Sequence, residues 1–317
     1  MKIQINNIHS ANSLSLIKLL KDIKSYNVEV IGTDILSKGE YAGSLLVDRY
    51  YISPPISNEM SYLAFLNEIN RKEKIDLLIP ASDAEALFLS KYKEKINAPF
   101  FLADTKTVQF FKDKLICTER LEKQGFLVPP IVTDLRCEKK VIFRKRVSVN
   151  SQGIYIVDLS KEKYIKNCFN NDYFIQKYIE GDTYIVDVLS DKDGIPHIII
   201  PRKTIEIKDG TAYRSQIVYK KELIELTKRI CSLYHLPGFC NIDFKEKNGK
   251  FYFIENNVRF AGSGIFSAIA SFNFMKLYID HFVKNEDMQP LEYYLGKVAW
   301  GSIITRYFNE IKYIPEV

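Results

Sequence analysis

The chain has 317 residues, 46% hydrophobic and 13% aromatic, with a formal net charge of +6, and this length and apolar content sustain a large core divided among two or three compact units. The charge favours anionic ligands but falls short of a domain built to neutralise a nucleic-acid backbone, and no apolar run of eighteen or more residues or signal-like N-terminus occurs, so a soluble cytoplasmic protein without a membrane span is expected. The five cysteines (Cys117, Cys137, Cys168, Cys231, Cys240) and four histidines (His9, His197, His235, His281) are dispersed, which argues against a zinc finger or a His-based nucleophile and leaves metal binding to carboxylates.

The front of the chain alternates strand and helix patterns. Lys2 to Ile5 reads as a strand, Ser13 to Lys24 as an amphipathic helix and Val28 to Thr33 as a second strand, the βαβ logic of a parallel sheet. Tyr50 to Ile52 is a short strand, Glu59 to Arg71 a helix and Ile75 to Pro80 a further strand. Ligands of such sheets bind at the carboxyl ends of the strands, which makes Asn6 to Asn12, Asp34 and Ser82 to Glu85 candidates for lining a cleft, with Glu85 as a substrate residue. Position alone favours helix caps or turn residues for Asp34 and Asp83. No G-x-G-x-x-G follows the first strand, so the domain is Rossmann-like in shape without the dinucleotide fingerprint.

After Phe100 to Leu102, Asp104 to Gln124 reads as one capped helix with Thr105 as a plausible N-cap and Gly125 as its stop, and Pro129-Pro130 marks a boundary. The pattern then turns mostly to strands: Val141 to Arg144, Gly153 to Val157, Tyr173 to Gln176, Thr183 to Leu189, His197 to Pro201, Phe239 to Lys245 and Lys250 to Asn256. Helices are expected at Lys220 to Tyr234 and Phe266 to Val283.

The densest chemistry lies in GFCNIDFKEKNGKFYFIENNVRFAGSG, positions 238 to 264, where two strands meet at the hairpin signal Asn248-Gly249. Alternation puts Asn241 and Asp243 on one face, and likewise Glu255, Asn257 and Arg259. A strict two-residue turn pairs Asp243 with Ile254, whereas a three-residue loop or a bulge near the turn pairs Asp243 with Glu255; the second geometry is predicted. Two carboxylates and a side-chain amide make an all-oxygen site suited to Mg²⁺ shared with substrate phosphates, and Arg259 adds a charged fork for a transferring phosphoryl group. Phe239, Phe251 and Phe253 are expected on the same face, which favours a partly buried site over a solvated hairpin.

An acid followed after eleven residues by Glu-x-Asn-x-Arg resembles the metal-binding hairpin of the ATP-grasp ligases, and other segments fall in that family's order. Asp113-Lys114 resembles its first nucleotide-contacting lysine. Val141-Ile142-Phe143-Arg144 with Ser151-Gln152-Gly153-Ile154 resembles its small-lobe strand and phosphate-covering loop, and Phe174 to Gly181 resembles its adenine hinge. The resemblance spans nearly the whole chain and is nearest to the carbamoyl-phosphate-synthase-like and amino-acid ligase branch, although the chain is too short for the duplicated halves of a full synthase. Arg144 stands where the family has Lys, Gln176 where Glu is common, and the loop is poor in glycine.

The resemblance implies an α/β and α+β fold, with a Rossmann-like N-terminal domain (1–103) followed by a two-lobed ATP-grasp domain (small lobe 104–175, large lobe 176–317). It implies ATP and Mg²⁺, with Mn²⁺ as an alternative ion. Lys114 and Arg144 would meet phosphate oxygens, Ser151 and Gly153 would belong to the covering loop, and Gln176, Lys177, Tyr178 and Ile179 to the hinge. Tyr178, Ile179 and Phe253 are candidate adenine walls, and either Asp182 or Thr183 would meet the ribose. Asp243, Glu255 and Asn257 would hold metal, with Arg259 at the γ-phosphate. Arg202 is either near an acyl phosphate or a surface residue after a strand, and Ser263 either helps wrap a substrate carboxylate or caps a loop. The implied reaction joins a small-molecule carboxylate to an amine through an acyl phosphate, with an ATP-grasp phosphotransferase or a nucleotide-binding regulatory module without turnover as alternatives, no nucleic-acid or membrane partner, and a homodimer left open.

Overall fold

A computed structural model of the protein describes residues 1–148, 153–160, 172–208 and 210–315. Its strands form three sheets. The front sheet is parallel and built from β1 (Lys2–Asn6), β2 (Glu29–Asp34), β3 (Arg49–Ile52) and β4 (Leu77–Ile79) in the order β3-β2-β1-β4, with α1 (Ala11–Lys21), α2 (Gly43–Leu46) and α3 (Glu59–Glu73) as connections and α4 (Asp83–Lys91) after the last strand. The chain crosses from β3 on one side of β1 to β4 on the other, so the crevice at the carboxyl ends is a topological switch point.

The helix expected over Asp104 to Gln124 is two helices, α5 (Thr105–Lys112) and α6 (Lys114–Lys123). Asp113 between them is extended, at φ −85° and ψ 95°, and its Oδ1 accepts the amides of Leu115 and Ile116, which caps α6 and places Lys114 at its first turn. Asp104, not Thr105, caps α5 by accepting the Thr107 amide. No ladder forms at Phe100 to Leu102, although Pro99 accepts the Leu78 amide next to it.

A three-stranded sheet follows, β5 (Lys140–Lys145) between β6 (Ile154–Asp158) and β7 (Tyr173–Lys177), and Ser151 lies outside the described residues. Gly153 has φ +71°, and a Cβ there would stand 2.9 Å from the Lys145 Cβ, so only glycine closes this end of the β5–β6 connection without strain.

The largest sheet is ordered β12-β11-β8-β9-β10-β13, from β8 (Asp182–Ser190), β9 (Pro196–Lys208), β10 (Thr211–Ile217), β11 (Gly238–Lys247), β12 (Lys250–Asn257) and β13 (Ile303–Thr305), with α7 (Lys221–Tyr234) entering between β10 and β11. The helix expected over Phe266 to Val283 is α8 (Gly264–Ile269) and α9 (Phe274–Phe282), parted where Asn273 accepts the amides of Met275 and Lys276; α10 (Leu291–Leu295) follows.

Asn248 and Gly249 both have positive φ, 53° and 73°, so the hairpin turn is the two-residue kind. Strict pairing runs from Lys247↔Lys250 to Phe244↔Phe253 and then slips, so that Asp243 faces Glu255 and Ile254 is the extra residue of a bulge. The predicted facing pair forms, with the bulge at the pair itself and not beside the turn. Beyond a bulge the faces invert, so Phe251 and Phe253 do not share the face of Glu255; Phe253 is 2% exposed and meets Phe244 edge to face in the core.

Two of the hydrophobic clusters join the front sheet to the large one. One contains Ile31, Leu66 and Leu78 with Val186, Ile242 and Phe244, and the other Ile3, Ile5 and Leu16 with Leu189, Ile198 and Tyr278. The three-stranded sheet keeps a small cluster of its own around Val141, Phe143 and Val157. No helix of the described residues is long and apolar enough to cross a membrane.

Candidate active site

The antiparallel register of β12, β11, β8 and β9 puts one row of polar residues across an otherwise apolar sheet. Asn257 faces Asn241, which faces Asp187; Glu255 faces Asp243, which faces Ile185, which in turn faces Arg202. Arg202 is fully buried and grips Asp187 with two nitrogens, at 2.8 and 3.3 Å, while Ser267 donates to the same carboxylate at 2.6 Å. Its Nη1 is buried without a hydrogen-bond partner among the described residues. That placement removes the surface reading of Arg202.

Asp243 Oδ1 is likewise buried and unpartnered. Burial first, and then the facing Glu255, push the Asp243 carboxyl up to about 8. Asn257 donates its amide to Asn241 at 3.3 Å, and no hydrogen bond among the described residues uses its oxygen. No group of three or more His, Cys, Asp or Glu stands ready to cage an ion among those residues. Two carboxylates with one amide oxygen, one of their oxygens orphaned, fit a hard divalent ion whose remaining ligands are phosphate and water oxygens.

Opposite this acidic row lie the basic residues. Arg144, 2% exposed on β5, donates to Gln176 Oε1 at 3.1 Å, to the carbonyl of Ile254 at 3.2 Å and to Glu255 Oε2 at 3.2 Å. Lys114 donates to the Ser148 carbonyl and hydroxyl at 3.2 and 3.3 Å and stands 3.8 Å from the same Glu255 oxygen. Burial holds both cations below their ordinary pKa, and for Lys114 the neighbouring Arg144 lowers it further. Two desolvated cations converging on one carboxylate oxygen make a site that an anionic phosphate would stabilise.

Around the hinge, Gln176 ties β7 to the carbonyl of Pro129 at 3.0 Å. The amides of Lys177 and Tyr178 are used by Pro130 and Lys140, and no hydrogen bond among the described residues uses that of Ile179. The Lys177 ammonium pairs with Glu138, the Lys140 ammonium lies 4.2 Å from the Tyr178 ring centre, and Asp182 pairs with Lys203 at 2.6 Å beside Thr183. Phe253 is not brought to the cleft.

Arg259 reaches across to the front sheet, where its Nε and Nη2 meet the two oxygens of Asp83 at 3.1 and 3.2 Å. Asp83 is thus more than a turn residue. This ion pair stands in the wall between two cavities. The smaller, about 150 Å³, is lined by Lys114, Arg202, Asp243, Glu255, Asn257 and Ser263 among others; the larger, about 530 Å³, lies at the carboxyl ends of the front strands. Glu85 lines the larger one, accepting from Asn6 and from the Ala81 amide at 2.9 Å, and burial pushes its carboxyl up to about 7. Ser263 makes no capping bond to the six-residue α8, and the Gly262 carbonyl beside it is held by Ser15 at 2.6 Å and by Arg306.

Asp187 was missed in the sequence, and Asp83, a candidate for lining the cleft, was favoured there as a cap or turn residue. For Asp187 a signal existed, since a lone acid inside the apolar run Ile185 to Leu189 demands a buried partner. The partnership of Asp83 depends on how the front sheet docks, which no local pattern reports.

Residues 111–263 match the family model of the ATP-grasp domain. The large chain of carbamoyl phosphate synthase from Clostridium botulinum (strain Loch Maree / Type A3) is 25% identical over 276 residues, which cover 80% of this chain and 24% of that protein, so the chain spans about a quarter of the length of such curated relatives. Among solved structures, the biotin carboxylase complex with β,γ-ATP from Campylobacter jejuni aligns at a TM-score of 0.70 with 16% identity over 92% of this chain and 72% of that one. An L-amino acid ligase from Bacillus licheniformis aligns at 0.66 with 15% identity over 94% and 77%. Residues 111–263 thus match an ATP-grasp domain, and the solved structures share the architecture of nearly the whole chain.

Proposed function

We propose that the chain is an ATP-dependent ligase that joins a carboxylate to an amine through an acyl phosphate, releasing ADP and phosphate. The observation that carries this reading is the convergence of Lys114 and Arg144 on Glu255, opposite the buried and unpartnered Asp243 Oδ1. In this reading residues 1–103 form the front domain, 104–175 the small lobe and 176–317 the large lobe, with ATP between the lobes and its adenine offered the Ile179 amide.

Asp243, Glu255 and Asn257 would hold Mg²⁺, which would supply positive charge to the substrate phosphates. Lys114 and Arg144 hold phosphate oxygens and turn from Glu255 to do so. A substrate carboxylate oxygen attacks the γ-phosphorus in line, the bond to the β–γ bridging oxygen breaks, and ADP leaves. Arg202 Nη1 and Arg259 face the charge that gathers on the transferred group, in a site where water is largely excluded. The amine nitrogen then attacks the acyl carbon, the carbon–oxygen bond to phosphate breaks, and phosphate leaves with the amine's proton. No protein nucleophile takes part; positioning and fixed charge do the work.

Glu255→Ala tests the assignment. ADP release should fall by on the order of 10³-fold, the upper range for loss of one charge-stabilising group. Binding of ATP measured without Mg²⁺ should hold or tighten, because Lys114 and Arg144 lose their competing anion. Unchanged turnover would sink the metal and phosphate assignments together.

A further inference from the structure

The larger cavity lies at the switch point of the front sheet, where the loops after β1, β2, β3 and β4 all contribute to its lining. At about 530 Å³ it falls in the ordinary range for a small-molecule site. It shares Asn12, Asp83, Thr211 and Arg259 with the catalytic cleft, so a molecule seated in it reaches the place where the acyl carbon would stand.

Its chemistry is one-sided. The acids in the described lining are Asp34, Asp83 and Glu85, and Arg259 is the one Lys or Arg among those residues. Arg259 and Asp83 form an ion pair across the wall, which leaves the buried Arg259 Nε without a hydrogen bond among the described residues. The remaining carboxylates, Asp34 and Glu85, are both buried and neither pairs with Arg259 among the described residues; Asp34 accepts from the His9 amide and ring and from the Ile35 amide. The lining also includes the apolar Ile35, Pro54, Pro55 and Ile56, and Tyr62. A phosphorylated or carboxylated tail would meet acids and methylenes, with Arg259 already paired to Asp83 and the His9 ring to Asp34. An aliphatic stem ending in an ammonium would meet complementary groups along its length.

Resting on the ligase reading above, we infer that the large cavity is the acceptor site and that its ligand is an aliphatic diamine-type molecule. One amine is presented at the Asp83–Arg259 wall for acylation, and the second, still protonated, sits between Asp34 and Glu85.

Three probes of matched length test this on the full chain by calorimetry without nucleotide: 1,4-diaminobutane, 1-aminobutane and 4-aminobutanoate. Diaminobutane should bind at least tenfold tighter than 1-aminobutane, and 4-aminobutanoate weakest. Asp34→Asn and, separately, Glu85→Gln should bring diaminobutane to the level of 1-aminobutane while ATP binding and the thermal transition show that each variant is folded. Equal or tighter binding of 4-aminobutanoate, no binding by any probe, or insensitivity to both substitutions overturns the inference. Because no turnover is measured, a correct binding order with no ADP release for any carboxylate and amine would instead fault the ligase reading.

Discussion

Glu85 shows how a single buried carboxylate can set a pH dependence for the whole chain. Burial raises it from 4.5 to about 7 against the opposing hydrogen bonds of Ala81, Asn6 and Ser82. A folded-state pKa above the unfolded value means that its contribution to stability is complete below about 4.5 and is lost as the pH climbs through about 7, up to about 3 kcal/mol in all. Glu85→Gln removes the ionisation and places an amide against the Asn6 donor, a cost that does not vary with pH. Urea midpoints between pH 4.5 and 8 should therefore decline more steeply for the natural chain than for the variant; parallel curves would show that Glu85 keeps its proton balance on unfolding. At this scale the sequence carried the identities of Asp243, Glu255, Asn257, Arg144 and Lys114 through local spacing and motif order. It carried the partners of Arg202 and Arg259 poorly, because Asp187 and Asp83 meet them only through strand register and domain docking.

The bulge at Ile254 resolves a conflict between two demands on one strand. Strict pairing would leave Asp243 opposite Ile254. A three-residue turn would bring Glu255 opposite Asp243 but swing Phe251 and Phe253 onto the cleft face. The bulge alone keeps both aromatics in the core and the acid at the site. Phe253→Leu should accordingly cost about 1 to 1.5 kcal/mol in denaturant unfolding, as a core swap of similar volume does, and leave the ATP dissociation constant within about twofold. A large loss of ATP affinity with unchanged stability would put Phe253 on the nucleotide instead. Elements with strong apolar periodicity, such as α7 and the front strands, were legible in the sequence. β10, β13 and the outer half of β9 were not, because Lys203 to Lys208 alternates between partly and largely exposed residues and offers no apolar run to read. The break in the α5–α6 helix turned on a cap, since Asp113 prefers to bind the amides after it rather than continue the helix.

For the molecule as a whole, the strands form three sheets, but the cores do not divide the same way. Two clusters weld the front sheet to the large one, and the three-stranded sheet has only its own small cluster. Periodicity in a sequence reports which face of an element is apolar and is silent on which other element covers it, so this joining was not legible. It sets the larger cavity beside the row of Asp243 and Glu255, with the Asp83–Arg259 pair as the partition between them. A partition made of an ion pair is a thermodynamic link. A carboxylate that draws Arg259 to itself leaves the Asp83 charge facing the amine, and an amine that engages Asp83 frees Arg259 for the carboxylate. By reciprocity each substrate tightens the other by the same factor, about fivefold or more for a coupling of ordinary size. Asp83→Asn should erase that synergy, seen as equal dissociation constants for one substrate with and without the other; synergy that survives the substitution would place the link elsewhere. On the ligase reading proposed above, a chain holding only its carboxylate would keep Arg259 partly engaged by Asp83 and would cleave ATP slowly until the amine arrives.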